Sequence, residues 1–184
     1  MELITKSYLN STRKLYESSQ PYESLKRAVN LSKQRNSLSS EITIFLSHKH
    51  DEVKELENAI ALLQSVKANV YVDWTDEGMP NTTSGETAKR LKDKIKSCKK
   101  FILVATEKAI SSKWCNWELG LGDAHKYIQH IALLVVKDDN MQFSGSEYLK
   151  IYPVIGRRYS SIDGFYDVKF PDGSTVGLIQ WLNS

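Results

Sequence analysis

The chain has 184 residues, 41% of them apolar, with a formal net charge of +3, which is enough for one ordinary hydrophobic core plus an extension. The longest unbroken apolar run, Ile131 to Val136, is far short of the roughly 18 residues that span a bilayer, and the N-terminus lacks the apolar region of a signal peptide. A cytoplasmic protein with no membrane partner is therefore expected, and two cysteines, Cys98 and Cys115, without a C-x-x-C pair suggest neither a disulfide framework nor a cysteine zinc site.

Residues 1–40 carry seven Lys/Arg against three Asp/Glu, and the remainder 18 against 19, so the excess positive charge lies in an N-terminal arm. Leu15, Tyr22, Leu25, Val29 and Leu31 are spaced for one or two helices, and Asn36-Ser37-Leu38-Ser39-Ser40 is a serine-rich break. The expected division is a basic, helical extension over 1–40 and a main domain over 41–184. Contact of the arm with an anionic partner is open to it, although a weakly basic solvated extension is the better explanation of the charge.

From residue 41 short apolar runs alternate with helical periodicity. Ile42-Thr43-Ile44-Phe45-Leu46 reads as a strand, followed by an amphipathic helix through Val53, Leu56, Ile60 and Leu63. Val70-Tyr71-Val72 is a second strand, Asp73 to Gly85 a long loop, and Leu91 and Ile95 mark an otherwise basic helix. Phe101 to Val104 is a third strand with the continuous hydrophobicity of a buried parallel one. Ser111 or Ser112 is placed to cap a helix whose apolar positions are Trp114, Trp117, Leu121 and Ala124. Ile131 to Val136 is a fourth strand, and Tyr152-Pro153-Val154-Ile155 a fifth, proline favouring an edge. In the tail, Tyr166 to Phe170 alternates like a strand, Pro171-Asp172-Gly173 is a turn, and Ser174 or Thr175 is expected to cap a closing helix.

Strand, helix, strand in this order implies an α/β protein, an open parallel sheet with helices on both faces. Ligands of such sheets bind beyond the carboxyl ends of the strands. Ser47-His48-Lys49-His50, the Asp73 to Gly85 loop and the segment Ser111 to Glu118 converge there. Within the last, Trp114 and Glu118 lie one helical turn apart on one face, a carboxylate beside an aromatic ring, poised to act on a positive charge. The same spacing also serves two core indoles and a solvated acid.

Other chemistries find less support. No glycine-rich phosphate loop follows the first strand, and Ser47-His48 and Ala105-Thr106 stand where a phosphoacceptor receiver needs acids. His48 and His50, and His125 and His130, have no carboxylate spaced to complete a metal site, so no metal is expected. The basic run Lys89, Arg90, Lys92, Lys94, Lys96, Lys99 and Lys100 points around more than one face of a helix without interleaved aromatics, which argues against nucleic acid as a partner.

Ile44-Phe45-Leu46-Ser47-His48, Val70-Tyr71-Val72-Asp73-Trp74 and Ser112-Lys113-Trp114-Cys115-Asn116-Trp117-Glu118-Leu119 together resemble a TIR (Toll and interleukin receptor) domain, particularly the bacterial, NAD-consuming kind. The resemblance runs from Ile42 to about Ile155. It implies a flavodoxin-like three-layer sandwich with five parallel strands ordered 2-1-3-4-5. It further implies cleavage of the nicotinamide–ribose bond of NAD+, with Glu118 catalytic, Ser47, His48, Lys49, Trp74 and Trp114 binding substrate, and no cofactor beyond NAD+ itself. The product would be ADP-ribose or a cyclic isomer, an anti-phage signal sensed by a separate effector, and self-association through TIR–TIR contacts would complete the site. Lys49 stands where many relatives have arginine, so a guanidinium's stacking and bidentate contacts are missing. The alternative is a non-enzymatic TIR adaptor that acts through its Asp73 to Gly85 loop.

Overall fold

A computed structural model describes residues 1–19, 43–72, 84–143, 145, 147–158 and 166–184. The expected helical positions Tyr22, Leu25, Val29 and Leu31, the 36–40 break and Trp74 lie outside these. The elements in chain order are β1 (Ile4–Thr5), α1 (Lys6–Ser19), β2 (Thr43–Ser47), α2 (Val53–Ser65), β3 (Asn69–Tyr71), α3 (Gly85–Ser97), β4 (Lys100–Ala105), α4 (Glu107–Ser111), α5 (Lys113–His125), β5 (Ile131–Lys137), β6 (Val154–Arg157), β7 (Tyr166–Lys169), β8 (Thr175–Gly177) and α6 (Leu178–Asn183). No helix among the described residues is long and apolar enough to cross a membrane.

Side-chain alternation along the central strands builds two cores. Ile44, Leu46, Ile102, Val104, Leu134 and Val136 face one side, where Leu56, Ile60 and Leu63 of α2 and Leu9 of α1 cover them. Phe45, Phe101, Leu103, Ile131, Leu133 and Val135 face the other, under Leu91 and Ile95 of α3 and Cys115 and Leu119 of α5. Because both faces are covered, β4 and most of β5 are buried at every position, and their sequences read as unbroken apolar runs.

The sheet runs β3-β2-β4-β5-β6-β7-β8, parallel from β3 to β6. The first connection runs to one side of β2 and the next to the other, so a crevice opens between the carboxyl ends of β2 and β4. The sheet is larger than the five strands expected. Antiparallel β7 and β8 extend it past β6, so β6 is interior rather than an edge. Pro153 is accommodated because it precedes the strand, where its carbonyl accepts from Leu133 N at 2.8 Å and no N–H is needed.

Two further details differ from the sequence reading. Ser174 and Thr175 do not cap the closing helix. Asp172 Oδ1 accepts from Ser174 N at 2.8 Å in a turn, the chain continues into β8, and α6 begins after Gly177. The start of the arm is also part of the sheet: β1 pairs parallel with the far end of β5, Ile4 opposite Val136, while Glu2 bridges Arg157 of β6. Gly156 makes this possible, since a Cβ there would lie 2.6 Å from Glu2 O. Helix α1 then packs on α2, and Tyr8 and Tyr166 share a hydroxyl hydrogen bond of 3.1 Å.

Candidate active site

Helix α5 begins at Ser112, whose Oγ accepts from Cys115 N at 3.4 Å. Asn116 steadies this first turn by donating to Ile110 O at 3.0 Å and accepting from the Tyr148 hydroxyl at 2.5 Å. The buried positions of α5 are Cys115, Glu118, Leu119 and Gly122, at i, i+3, i+4 and i+7. Trp114, Trp117 and Leu121 are only half-buried and Ala124 is exposed, so the core stripe is not the one their spacing suggests. Bulk explains the difference. A Cβ at Gly122 would already sit 3.1 Å from the Phe101 ring, so the helix approaches the sheet closely there and leaves no room for an indole at that end of the face.

This rotation sends Glu118 inward, to 2% exposure. A buried carboxylate without a partner is strongly destabilising. One of its partners is the Ser47 hydroxyl, which donates to Oε2 at 2.5 Å from a side chain 1% exposed. Ser47 comes to this face by strand alternation, two residues after Phe45, whose ring stacks on Phe101 with centroids 5.5 Å apart. The next residue is tied to the same helix, as the Cys115 thiol donates to His48 O at 3.3 Å.

Of the residues the sequence singled out, Ser47, Glu118 and the His48 backbone are brought together. The His48 imidazole is buried and packs against that of His50, with centroids 5.3 Å apart. Lys49 turns to Asp51, an ion pair of 3.0 Å whose hydrogen bond raises its ammonium pKa. Trp114 pairs with Trp117 at 4.9 Å and an interplanar angle of 31°. Its buried Nε1 has no hydrogen-bond partner among the described residues. Trp74 lies outside the described residues.

A second buried acid was not singled out by sequence. Glu52, 8% exposed, precedes α2 but does not cap it, and instead its Oε2 accepts from the hydroxyl of Thr106 after β4. Burial raises its carboxyl pKa. Thr106 was visible only as a residue that excluded a receiver domain; the pairing arises because β2 and β4 are neighbours. Among the described residues no three His, Cys, Asp or Glu side chains are grouped to hold a metal ion.

Comparison with known proteins fits these features. A Bacillus cereus (strain MSX-D12) protein named "Probable 3' cyclic ADP-D-ribose synthase ThsB'" is 31% identical over 118 residues, 62% of this chain and 60% of that protein. The chain thus spans about three fifths of this curated relative's length. The sequence model of the TIR domain matches residues 44–165, the stretch from β2 through β6 that holds Ser47 and Glu118 and more than half of the chain. On that match, the chain belongs to the TIR domain family.

Proposed function

We propose that this protein is an NAD+ glycohydrolase or cyclase that breaks the nicotinamide–ribose bond, with Glu118 as its catalytic acid residue. The observation that carries the reading is a carboxylate 2% exposed, held by Ser47 at the carboxyl end of the sheet, in a TIR domain whose relative is named a cyclic ADP-ribose synthase. The fold is read as flavodoxin-like, its five parallel strands counted from β2 giving the order 2-1-3-4-5, and the domain expected over 41–184 also takes in β1 from the start of the arm.

The chemistry suits a single acid. Glycosidases commonly use two carboxylates, one to protonate a poor leaving group. Nicotinamide is already a pyridinium in NAD+. When the C1′–N bond breaks, its electron pair moves to the ring nitrogen and neutral nicotinamide departs. The ribose left behind carries oxocarbenium charge, which a carboxylate in a dry site stabilises strongly. Glu118 also accepts from the ribose hydroxyls. Water then adds to C1′ and loses a proton to solvent to give ADP-ribose, or a hydroxyl or ring nitrogen of the same molecule adds to C1′, again with loss of one proton to solvent, to give a cyclic isomer. The aromatic pair Trp114 and Trp117 excludes water and so bears on this choice. At 2% exposure, substrate reaches Glu118 only after the side chains over it part. Lys49 meets phosphate by leaving the exposed Asp51.

Family resemblance supports the rest of the proposal: assembly through TIR–TIR contacts, and a nucleotide product that signals in anti-phage defence to a separate effector. Incubation of purified protein with NAD+, with chromatography of the products, tests the activity. Nicotinamide release that is abolished by Glu118→Gln is expected. No turnover at any protein concentration, together with tight binding to another TIR domain, would mark an adaptor instead.

A further inference from the structure

A cavity of about 570 Å³ lies on the side of the sheet opposite Glu118, lined by Val136 and bounded by the starts of α1 and α2. It sits against the crevice between the ends of β2 and β4, since Glu52 lies in the segment after the first and Thr106 directly follows the second. Its size falls within the roughly 300–1,000 Å³ of small-molecule sites.

Its lining has a definite chemistry. Three ammonium groups come from segments far apart in sequence: Lys6 on α1, Lys108 on α4 and Lys137 at the end of β5. The floor is the Glu52 carboxylate, held by Thr106 and more than nine-tenths buried. Lys6 pairs with Asp138 at 3.0 Å and, more distantly, with the less exposed Glu55 at 3.9 Å, Lys108 pairs with Asp51 at 3.7 Å, and Lys137 donates to Met141 O at 3.1 Å. Asp138 and Asp51 are more than half exposed, so their pairs are weak and readily exchanged for a stronger anion. Val136 and Met141 supply the apolar wall.

We propose that this cavity is a second binding site, for a singly phosphorylated ribose: the diol donates to Glu52, and the phosphate is met by Lys6, Lys108 and Lys137. A carboxylate with one Thr106 bond retains acceptor capacity for two adjacent hydroxyls, and burial makes a donor there more valuable. Three lysines exclude a divalent cation as the ligand. Glu107 and Asp138 also line the cavity, so a monophosphate is favoured over a di- or triphosphate. Because Lys6 belongs to the arm, binding also fastens the N-terminal segment to the main domain. The site is independent of the reading of Glu118.

Calorimetric titration of the full chain with AMP and with ribose 5-phosphate tests this, with adenosine and inorganic phosphate as the separated halves. AMP and ribose 5-phosphate are expected to bind, and each half to bind roughly tenfold more weakly or worse. Lys6→Ala and Lys137→Ala, at half-buried positions whose ammonium groups are not part of either core, are expected to weaken AMP by about tenfold each, as is Glu52→Gln. Glu118→Gln is expected to leave the titration unchanged. Lack of saturable binding by the unaltered chain would overturn the proposal. So would binding that is lost in Glu118→Gln and kept in Lys6→Ala and Lys137→Ala, which locates the ligand at the other site. Absence of NAD+ turnover would defeat the glycohydrolase reading and leave this titration as it stands.

Discussion

The Ser47 hydroxyl donates to Glu118 Oε2 at 2.5 Å, and both side chains are almost sealed from solvent. Ser47 thus fixes one oxygen of the Glu118 carboxylate, and its effect on turnover through that contact can be separated from a contact with substrate. Hydrogen bonds to charged groups contribute about 1.5–3 kcal/mol, so Ser47→Ala is expected to lower kcat by roughly 10- to 100-fold with little change in KM. Ser47→Thr, which keeps the hydroxyl, is expected to recover much of the loss. Steady-state kinetics of nicotinamide release measures both.

Glu118→Gln keeps the shape and removes the charge. Loss of a preorganised electrostatic group typically lowers kcat by about 10²–10³-fold, and at least that is expected here. The Ser47 hydroxyl still finds an amide oxygen, so the urea midpoint is expected to stay close to that of the parent chain, separating chemistry from folding.

Gly156→Val addresses the docking of the N-terminal strand. Its backbone has no positive φ, so the effect comes from contact with Glu2 O and the Met1 side chain. Overpacking of this kind costs about 1–3 kcal/mol. A lower urea midpoint is expected, and removal of Met1 and Glu2 from the variant should return part of it. Equal losses in the presence and absence of those residues would show that the clash lies elsewhere.

Lys100 gives a pH dependence. Its side chain is fully buried, 2.8 Å from His130 Nδ1, 3.0 Å from Ser184 Oγ and 4.6 Å from the Trp181 ring centroid. Burial, aided by Lys99 and Lys126, pulls its pKa from 10.5 to about 8. Between these values the unfolded chain binds more protons, so this lysine's contribution to stability rises with pH across that window, with a slope approaching about 1.4 kcal/mol per pH unit. Below pH 8 its contribution is level. Cys98 opposes it: burial raises its thiol from 9.0 to about 11, so stability from that group falls as pH rises through that range. Urea midpoints from pH 7 to 10.5 for the parent and for Lys100→Met isolate the lysine, and the parent is expected to gain stability relative to the variant as pH rises through that window.

The sequence announced the central strands because burial on both faces leaves unbroken apolar runs such as Ile131 to Val136. It was silent about β1, whose two residues carry no period and whose place depends on Gly156 about 150 positions away. The edge assignment for Pro153 failed because β7 pairs beyond it, a tertiary fact that proline cannot encode. At the candidate site, the spacing of Trp114 and Glu118 pointed to the acid. Its contact with Ser47, 71 residues distant, required strand register. The indoles misled the helix phase because Gly122, close to Phe101, sets which face approaches the sheet.

The stack of Phe45 on Phe101 is more than core packing. A one-residue slip of β2 along β4 would carry Leu46 or His48 to where Ser47 meets Glu118, and would expel the Phe45 ring from its neighbour. The two rings thus work as a ruler for the strand. Their contact, two residues away, decides whether the acid finds a hydroxyl at all.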